Sequence, residues 1–209
     1  YGELGDDVIF GWAGNDLLVG SAGNDRLFGG VGADHLHSGT GIDLANGGSG
    51  IDELVGRVSG NAYLVNNTLY TISPGLFSSG SLEGIETVSL YGNANDNMIM
   101  VQGFKGSVNL HGNSGNDTLV GSSQDDYLYG GAGDDRIFGG LGDDQILPGG
   151  GNDQIHGGGG HDLLLATVTG NIDLDDGELQ IFEPGQEETD TFDQIEGVTI
   201  TAASDVGIR

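Results

Sequence analysis

The sequence predicts an all-β chain wound into a parallel roll of short strands, and three observations carry that reading. Glycine supplies 43 of the 209 residues while apolar residues make up 36%, so any core must be thin and any turns tight. A nine-residue period runs through two separate blocks. The whole register then returns in a second copy, with Gly2 recurring as Gly112.

The first block reads, from Gly2 to Val55, GELGDDVIF, GWAGNDLLV, GSAGNDRLF, GGVGADHLH, SGTGIDLAN and GGSGIDELV. The second, from Gly112 to Leu165, reads GNSGNDTLV, GSSQDDYLY, GGAGDDRIF, GGLGDDQIL, PGGGNDQIH and GGGGHDLLL. Position six is Asp throughout: Asp7, Asp16, Asp25, Asp34, Asp43, Asp52, Asp117, Asp126, Asp135, Asp144, Asp153 and Asp162. Position eight is Leu or Ile except at Ala45, and position four is Gly except at Gln124.

The offset that lays Gly2 on Gly112 also lays Gly60-Asn61 on Gly170-Asn171, Pro74-Gly75 on Pro184-Gly185, and Ile85-Glu86 on Ile195-Glu196. Gly-rich low complexity would not hold one offset through the irregular tails. The chain therefore divides into two modules, 1–111 (nonapeptides 2–55, tail 56–111) and 112–209 (nonapeptides 112–165, tail 166–209). The second copy stops at Arg209 where the first still runs from Met100 to His111, so the sequence reads as an excerpt from a longer array.

Within a nonapeptide, Gly at positions one, two and four permits a closed turn, and the next three residues form a strand whose middle side chain faces one way. Two nonapeptides close one 18-residue coil. Stacked coils pair their strands in parallel about 4.8 Å apart. Ile9, Leu27 and Ala45 then stack on one wall against Leu18, Leu36 and Leu54 on the other; Leu119, Ile137 and Ile155 oppose Leu128, Ile146 and Leu164. Such a core cannot by itself offset the entropy of ordering glycine turns.

The aspartates supply the missing stabilisation. Asp of one repeat lies beneath Asp two repeats on, and two carboxylates near 5 Å repel by roughly 3 kcal/mol at an effective dielectric of 20. A cation between them reverses the sign. The donors are carboxylates and turn carbonyls, with no Cys in the chain, which is hard-cation chemistry and favours calcium over magnesium. A plain turn-forming role for these residues predicts Asn or Ser at some positions, and none occurs.

GGVGADHLH, GGAGDDRIF and GGLGDDQIL resemble the GGxGxDxUx repeats of the RTX (repeats-in-toxin, haemolysin-type calcium-binding) family. The resemblance implies a right-handed parallel β-roll, two calcium-loaded blocks with calcium-free β tails, and secretion of the unfolded chain by the type I route. It also implies metal sites at Asp7 with Asp25, Asp16 with Asp34, Asp25 with Asp43, Asp34 with Asp52, Asp117 with Asp135, Asp126 with Asp144, Asp135 with Asp153, and Asp144 with Asp162, about eight ions in all. Glu3, Trp12, Ser21, Asn113 and Ser122 replace the second Gly, Ser38 and Pro148 the first, and Gln124 the fourth. Gln124 puts the site between Asp126 and Asp144 most in question, because Gly takes the turn geometry freely.

The tails carry strand signals without the Asp code. AYLV-NN-TLYTI and NIDL-DDG-ELQIF alternate about turn residues, and Pro-Gly breaks the chain before IETVSL and IEGVTI. Calcium-free coils that continue the roll and a hairpin that caps it both fit; continuation is expected, because the block at Gly112 needs a paired strand edge.

A formal net charge of −27 excludes nucleic acid and anionic membrane surfaces as partners, and no apolar run is long enough for a membrane span. No G-x-S-x-G or H-E-x-x-H string occurs, so a nucleophile elbow, a zincin site and a thiol enzyme have no basis. His35, His37, His156 and His161 sit at varying repeat positions and read as solvated strand or turn residues. Phe10 with Phe28, and Tyr129 with Leu147, fall on outward faces, where lateral packing by the tails is the expected role and a partner surface the other. The expected function is a non-enzymatic, calcium-dependent structural segment of a larger secreted protein. The alternative is a calcium-dependent carbohydrate- or surface-binding accessory module, whose partner is an extracellular glycan or cell surface.

Overall fold

The computed structural model describes residues 1–58, 60–73, 76–168, 171–175, 178–183 and 186–202. The expected turns at Asp176-Gly177, Pro74-Gly75 and Pro184-Gly185, and the terminus at Arg209, lie outside the described residues. Every described element is a strand, and the strands form two sheets that face each other as the walls of a parallel β-roll.

Nonapeptides alternate between the walls. Val8–Ala13, Arg26–Val31 and Leu44–Ser49 succeed one another in the first sheet, Leu17–Val19, His35–His37 and Glu53–Arg57 in the second, all parallel. Each strand pairs with the one two nonapeptides further on: Ile9 lies opposite Leu27, Leu27 opposite Ala45, and Leu18 opposite Leu36. Position eight points inward because strand side chains alternate. Leu27, Leu36, Leu54, Leu119, Leu128, Ile137, Ile146 and Leu164 are at most 1% exposed. The second block repeats the arrangement with Thr118–Val120, Arg136–Leu141 and Gln154–Gly159 against Tyr127–Ala132, Gln145–Gly150 and Leu163–Val168.

The tails continue the roll on the second wall, while on the first wall a meander is inserted in the sheet where a capping hairpin was the alternative expectation. On the second sheet the roll continues: Glu53–Arg57 pairs in parallel with Thr87–Tyr91, and that with Ser107–Ser114, which pairs with Tyr127–Ala132. On the first sheet an antiparallel meander is spliced in. Leu76–Glu83 pairs with Leu44–Ser49, Thr68–Ser73 runs back, and Asn61–Val65 returns to pair with Met98–Gln102. Asn66, at φ 53°, and Asn67 make the predicted hairpin turn. The second tail repeats the splice with Gln186–Asp193, Glu178–Glu183 and Asn171–Asp175, while Gly197–Ala202 extends the second sheet. Buried Leu64, Leu69, Leu82, Val88, Leu90 and Ile99 carry the apolar core through the first tail into the second block.

Candidate metal centre

Each turn uses glycine for two different physical reasons. Positions two and four take the left-handed region, as Gly30 (φ 115°) and Gly32 (φ 138°) do. Trp12, Ser21 and Asn113 hold that region at position two despite their side chains, at φ 76°, 85° and 77°. Where position one is glycine, as it is except at Ser38 and Pro148, it serves closeness instead. A β-carbon on Gly20 would stand 2.5 Å from Asp25 Oδ2 and 2.5 Å from the carbonyl oxygen of Ser38, one coil on. At this turn the cradle between carboxylate and carbonyl therefore leaves no room for a side chain.

Position six forms a ladder. The N–H of Asp7 donates to Asp25 Oδ1 at 2.9 Å, Asp16 to Asp34 at 2.9 Å, Asp25 to Asp43 at 2.8 Å, and Asp34 to Asp52 at 2.8 Å. In the second block Asp117 donates to Asp135 at 2.7 Å, Asp126 to Asp144 at 2.9 Å, Asp135 to Asp153 at 2.8 Å, and Asp144 to Asp162 at 2.9 Å. All eight predicted pairs are thus neighbours, each tied through one carboxylate oxygen. For most of the row the other oxygen is left over. Oδ2 of Asp16, Asp25, Asp34, Asp52, Asp117, Asp135, Asp144 and Asp162 is buried and accepts no hydrogen bond.

A buried carboxylate oxygen without a donor is costly when charged, and the acidities register it. Burial, reinforced by the charges of neighbouring aspartates, pushes Asp135 and Asp144 up to about 7 against a backbone hydrogen bond that lowers them. Burial likewise pushes Asp43, Asp117 and Asp126 up to about 6, and raises Asp52. Among the described residues no three His, Cys, Asp or Glu side chains converge on one point; the donor set is paired carboxylates and main-chain carbonyls. All-oxygen, flexible coordination of this kind suits calcium.

Gln124 departs from the pattern for a reason other than strain. It takes no left-handed conformation; the turn closes instead on Ser122, whose N–H and Oγ donate to Asp126 Oδ2 at 2.5 Å and Oδ1 at 3.0 Å, while Gln124 N–H donates to Ser122 Oγ at 3.0 Å. Asp126 therefore has donors on both of its oxygens.

Two features escaped the sequence reading. Position five forms a second, outer ladder of opposite polarity. Asn24 N–H donates to Asp6 Oδ1, Ala33 N–H to Asn15 Oδ1, and Asp143 N–H to Asp125 Oδ1, at 2.8 to 3.0 Å; the frequent Asp or Asn at that position was the available signal. The inner ladder also runs past the nonapeptides, with Asp52 N–H on Glu86 Oε2, Asp153 N–H on Asp190 Oδ1 and Asp162 N–H on Glu196 Oε2. At the start of the second block, Asn97 and Val108 occupy the ladder position, donating to Asp117 Oδ1 and Asp126 Oδ1.

The histidines do not converge. His35 pairs with Glu53 on the second sheet and His156 with Asp193 on the first, each at 2.7 Å. Phe10 and Phe28 stack at 5.0 Å, with Trp12 5.4 Å from Phe10. The expected lateral cover by the tails is not realised: the described tail strands join the sheets end-on, where they complete backbone pairing, and Phe10 stays 51% exposed. No described helix is long and apolar enough to cross a membrane.

The family model for the RTX calcium-binding nonapeptide repeat matches the chain in four copies, at residues 1–27, 13–45, 111–146 and 149–166. No curated protein matches the chain in sequence. Among solved structures, the chain is similar to the extracellular lipase LipA from Serratia marcescens, at 18% identity and a TM-score of 0.35, covering 97% of this chain and 39% of that one. With the repeat matched in both blocks and the Asp ladder running through each, the chain carries RTX calcium-binding nonapeptide repeats in both of its modules.

Proposed function

We propose that this chain is a calcium-dependent folding segment of a larger secreted protein, and that about eight calcium ions sit between successive coils at the position-six aspartate pairs. One observation supports this above the rest: a file of buried carboxylate oxygens that accept no hydrogen bond, each beside a main-chain carbonyl of the next coil. The work of these residues is ion binding and folding rather than catalysis. Extracellular modules bind calcium with dissociation constants near 0.1–1 mM, so about 1 mM calcium contributes roughly 1.4 kcal/mol for a site at the tight end. Eight sites reach about 11 kcal/mol, comparable with the whole stability of a domain. At submicromolar calcium that contribution vanishes, which keeps the chain unfolded inside the cell and lets it fold outside. Calcium titration of the chelated protein tests this: saturable heat with cooperative gain of β structure supports it, and absence of binding up to about 10 mM rejects it.

A second reading, a calcium-dependent carbohydrate- or surface-binding module, draws on the exposed aromatic row of Phe10, Trp12 and Phe28, with Trp12 75% exposed. Glycan-array binding with calcium and its loss in chelator would support it; no binding in either condition leaves the structural role alone.

A further inference from the structure

The inner ladder does not stop where the nonapeptides stop. Pairing of Leu54 with Val88 sets Glu86 opposite Asp52, and pairing of Leu164 with Val198 sets Glu196 opposite Asp162 at the matching place in the second module. Asp52 N–H donates to Glu86 Oε2 at 2.9 Å and Asp162 N–H to Glu196 Oε2 at 2.7 Å, the same tie that joins aspartates within the blocks. Both aspartates are 1% exposed, and Oδ2 of each is buried without a donor.

The carbonyl half of the cradle recurs as well. A β-carbon on Gly47 would meet Asp52 Oδ2 and the carbonyl oxygen of Gly84, and one on Gly157 would meet Asp162 Oδ2 and the carbonyl oxygen of Gln194. Inside the blocks that carbonyl comes five residues before the ladder carboxylate, as Ser38 precedes Asp43. At both tails it comes two residues before, as Gly84 precedes Glu86 and Gln194 precedes Glu196. The tail turn is three residues shorter, and the extra methylene of Glu recovers the reach. The entry to the second block lacks this feature, since Asn97 and Val108 stand there in place of a carboxylate.

We propose that Asp52 with Glu86, and Asp162 with Glu196, form two further calcium sites at the seams between each block and its tail, so that each tail docks on an ion as well as on apolar contact. This rests on the calcium reading above. Native mass spectrometry of the full chain in saturating calcium tests it: Glu86→Gln and Glu196→Gln each carry one ion fewer than the parent chain, and the double variant two fewer. Gln keeps an acceptor for the aspartate N–H and removes the charge alone. Glu83→Gln, at an exposed residue that accepts from Asn46, leaves the count unchanged. Circular dichroism confirms that each variant is folded when counted; should Glu86→Gln fail to fold, Glu196→Gln, in the last described coil, decides. Equal counts in the parent chain and a folded Glu196→Gln overturn the seam sites and leave the block sites standing. A parent chain that binds no calcium overturns the underlying reading instead.

Discussion

Asp135 takes the backbone N–H of Asp117, one coil earlier, on Oδ1 at 2.7 Å, while its own Oδ2 is buried and accepts nothing. The two oxygens of one carboxylate thus do separate things. One staples adjacent coils, and the other supplies charge that the fold alone does not neutralise. Stacked, shared carboxylates of this kind make the cost of losing one depend on its place in the row.

Asp135 belongs to two of the proposed block sites and Asp117 to one. Asp135→Ala should cost about 3 kcal/mol at about 1 mM calcium and Asp117→Ala about half that. The comparison is read as the calcium midpoint of folding for each variant; equal midpoints would argue against shared sites.

At position one the close approach predicts a steric result. Gly20→Ala drives a methyl group between Asp25 Oδ2 and the Ser38 carbonyl, and should destabilise the calcium-loaded protein by about 1–3 kcal/mol. Thermal unfolding at saturating calcium measures it. An unchanged melting temperature would mean that the cradle is wide enough for a side chain.

Asp126 has the serine clamp that its neighbours lack. Ser122→Gly with Gln124→Gly restores the pattern glycines and removes the Oγ that ties Asp126 Oδ1 to the Gln124 N–H, so that the turn can relax and withdraw the backbone N–H of residue 122 from Oδ2. The double variant should fold at lower calcium than the parent chain. A higher midpoint would show that Ser122 supports the site.

The raised acidities set the pH dependence. Ordinary Asp titrates near 3.8, whereas Asp135 and Asp144 are pushed to about 7 in the ion-free fold. Between those values the folded state binds the protons more tightly than the unfolded chain does. Stability of the calcium-free roll from this source is therefore full below about pH 4 and lost as pH rises to about 7. The proton-bound roll is already folded, so the calcium midpoint of folding should not rise as pH falls from 7.5 to 6, although calcium then has protons to displace. Chelated protein that is less stable at pH 5 than at pH 7.5 would contradict the assignment.

Much of this was legible in the residues themselves. The inner stack of Leu27, Leu36 and Leu54, and the Asp pairs, followed from position eight and position six because a coil of two nonapeptides keeps its register wherever both are intact. The tails were harder to read, since the spliced meander lengthens a coil on one wall: Asp52 meets Glu86 after 34 residues and Asp153 meets Asp190 after 37. A fixed period cannot find such partners, although Val88 and Val198, equivalent positions in the two modules, marked the strands that carry them. The outer ladder of Asn15 and Asp125 was hidden for another reason: Asp and Asn are also ordinary turn residues, and polarity alone does not reveal a bond to the next coil.

The central claim is that calcium, rather than the apolar core, decides whether the roll exists at neutral pH. Far-ultraviolet circular dichroism of the whole chain at pH 7.5, first in chelator and then with calcium added to about 10 mM, well above the range of extracellular sites, tests it directly. The account predicts a disordered spectrum in chelator and a cooperative change to a β spectrum on adding calcium. A full β spectrum in chelator, unaltered by the ion, would contradict it.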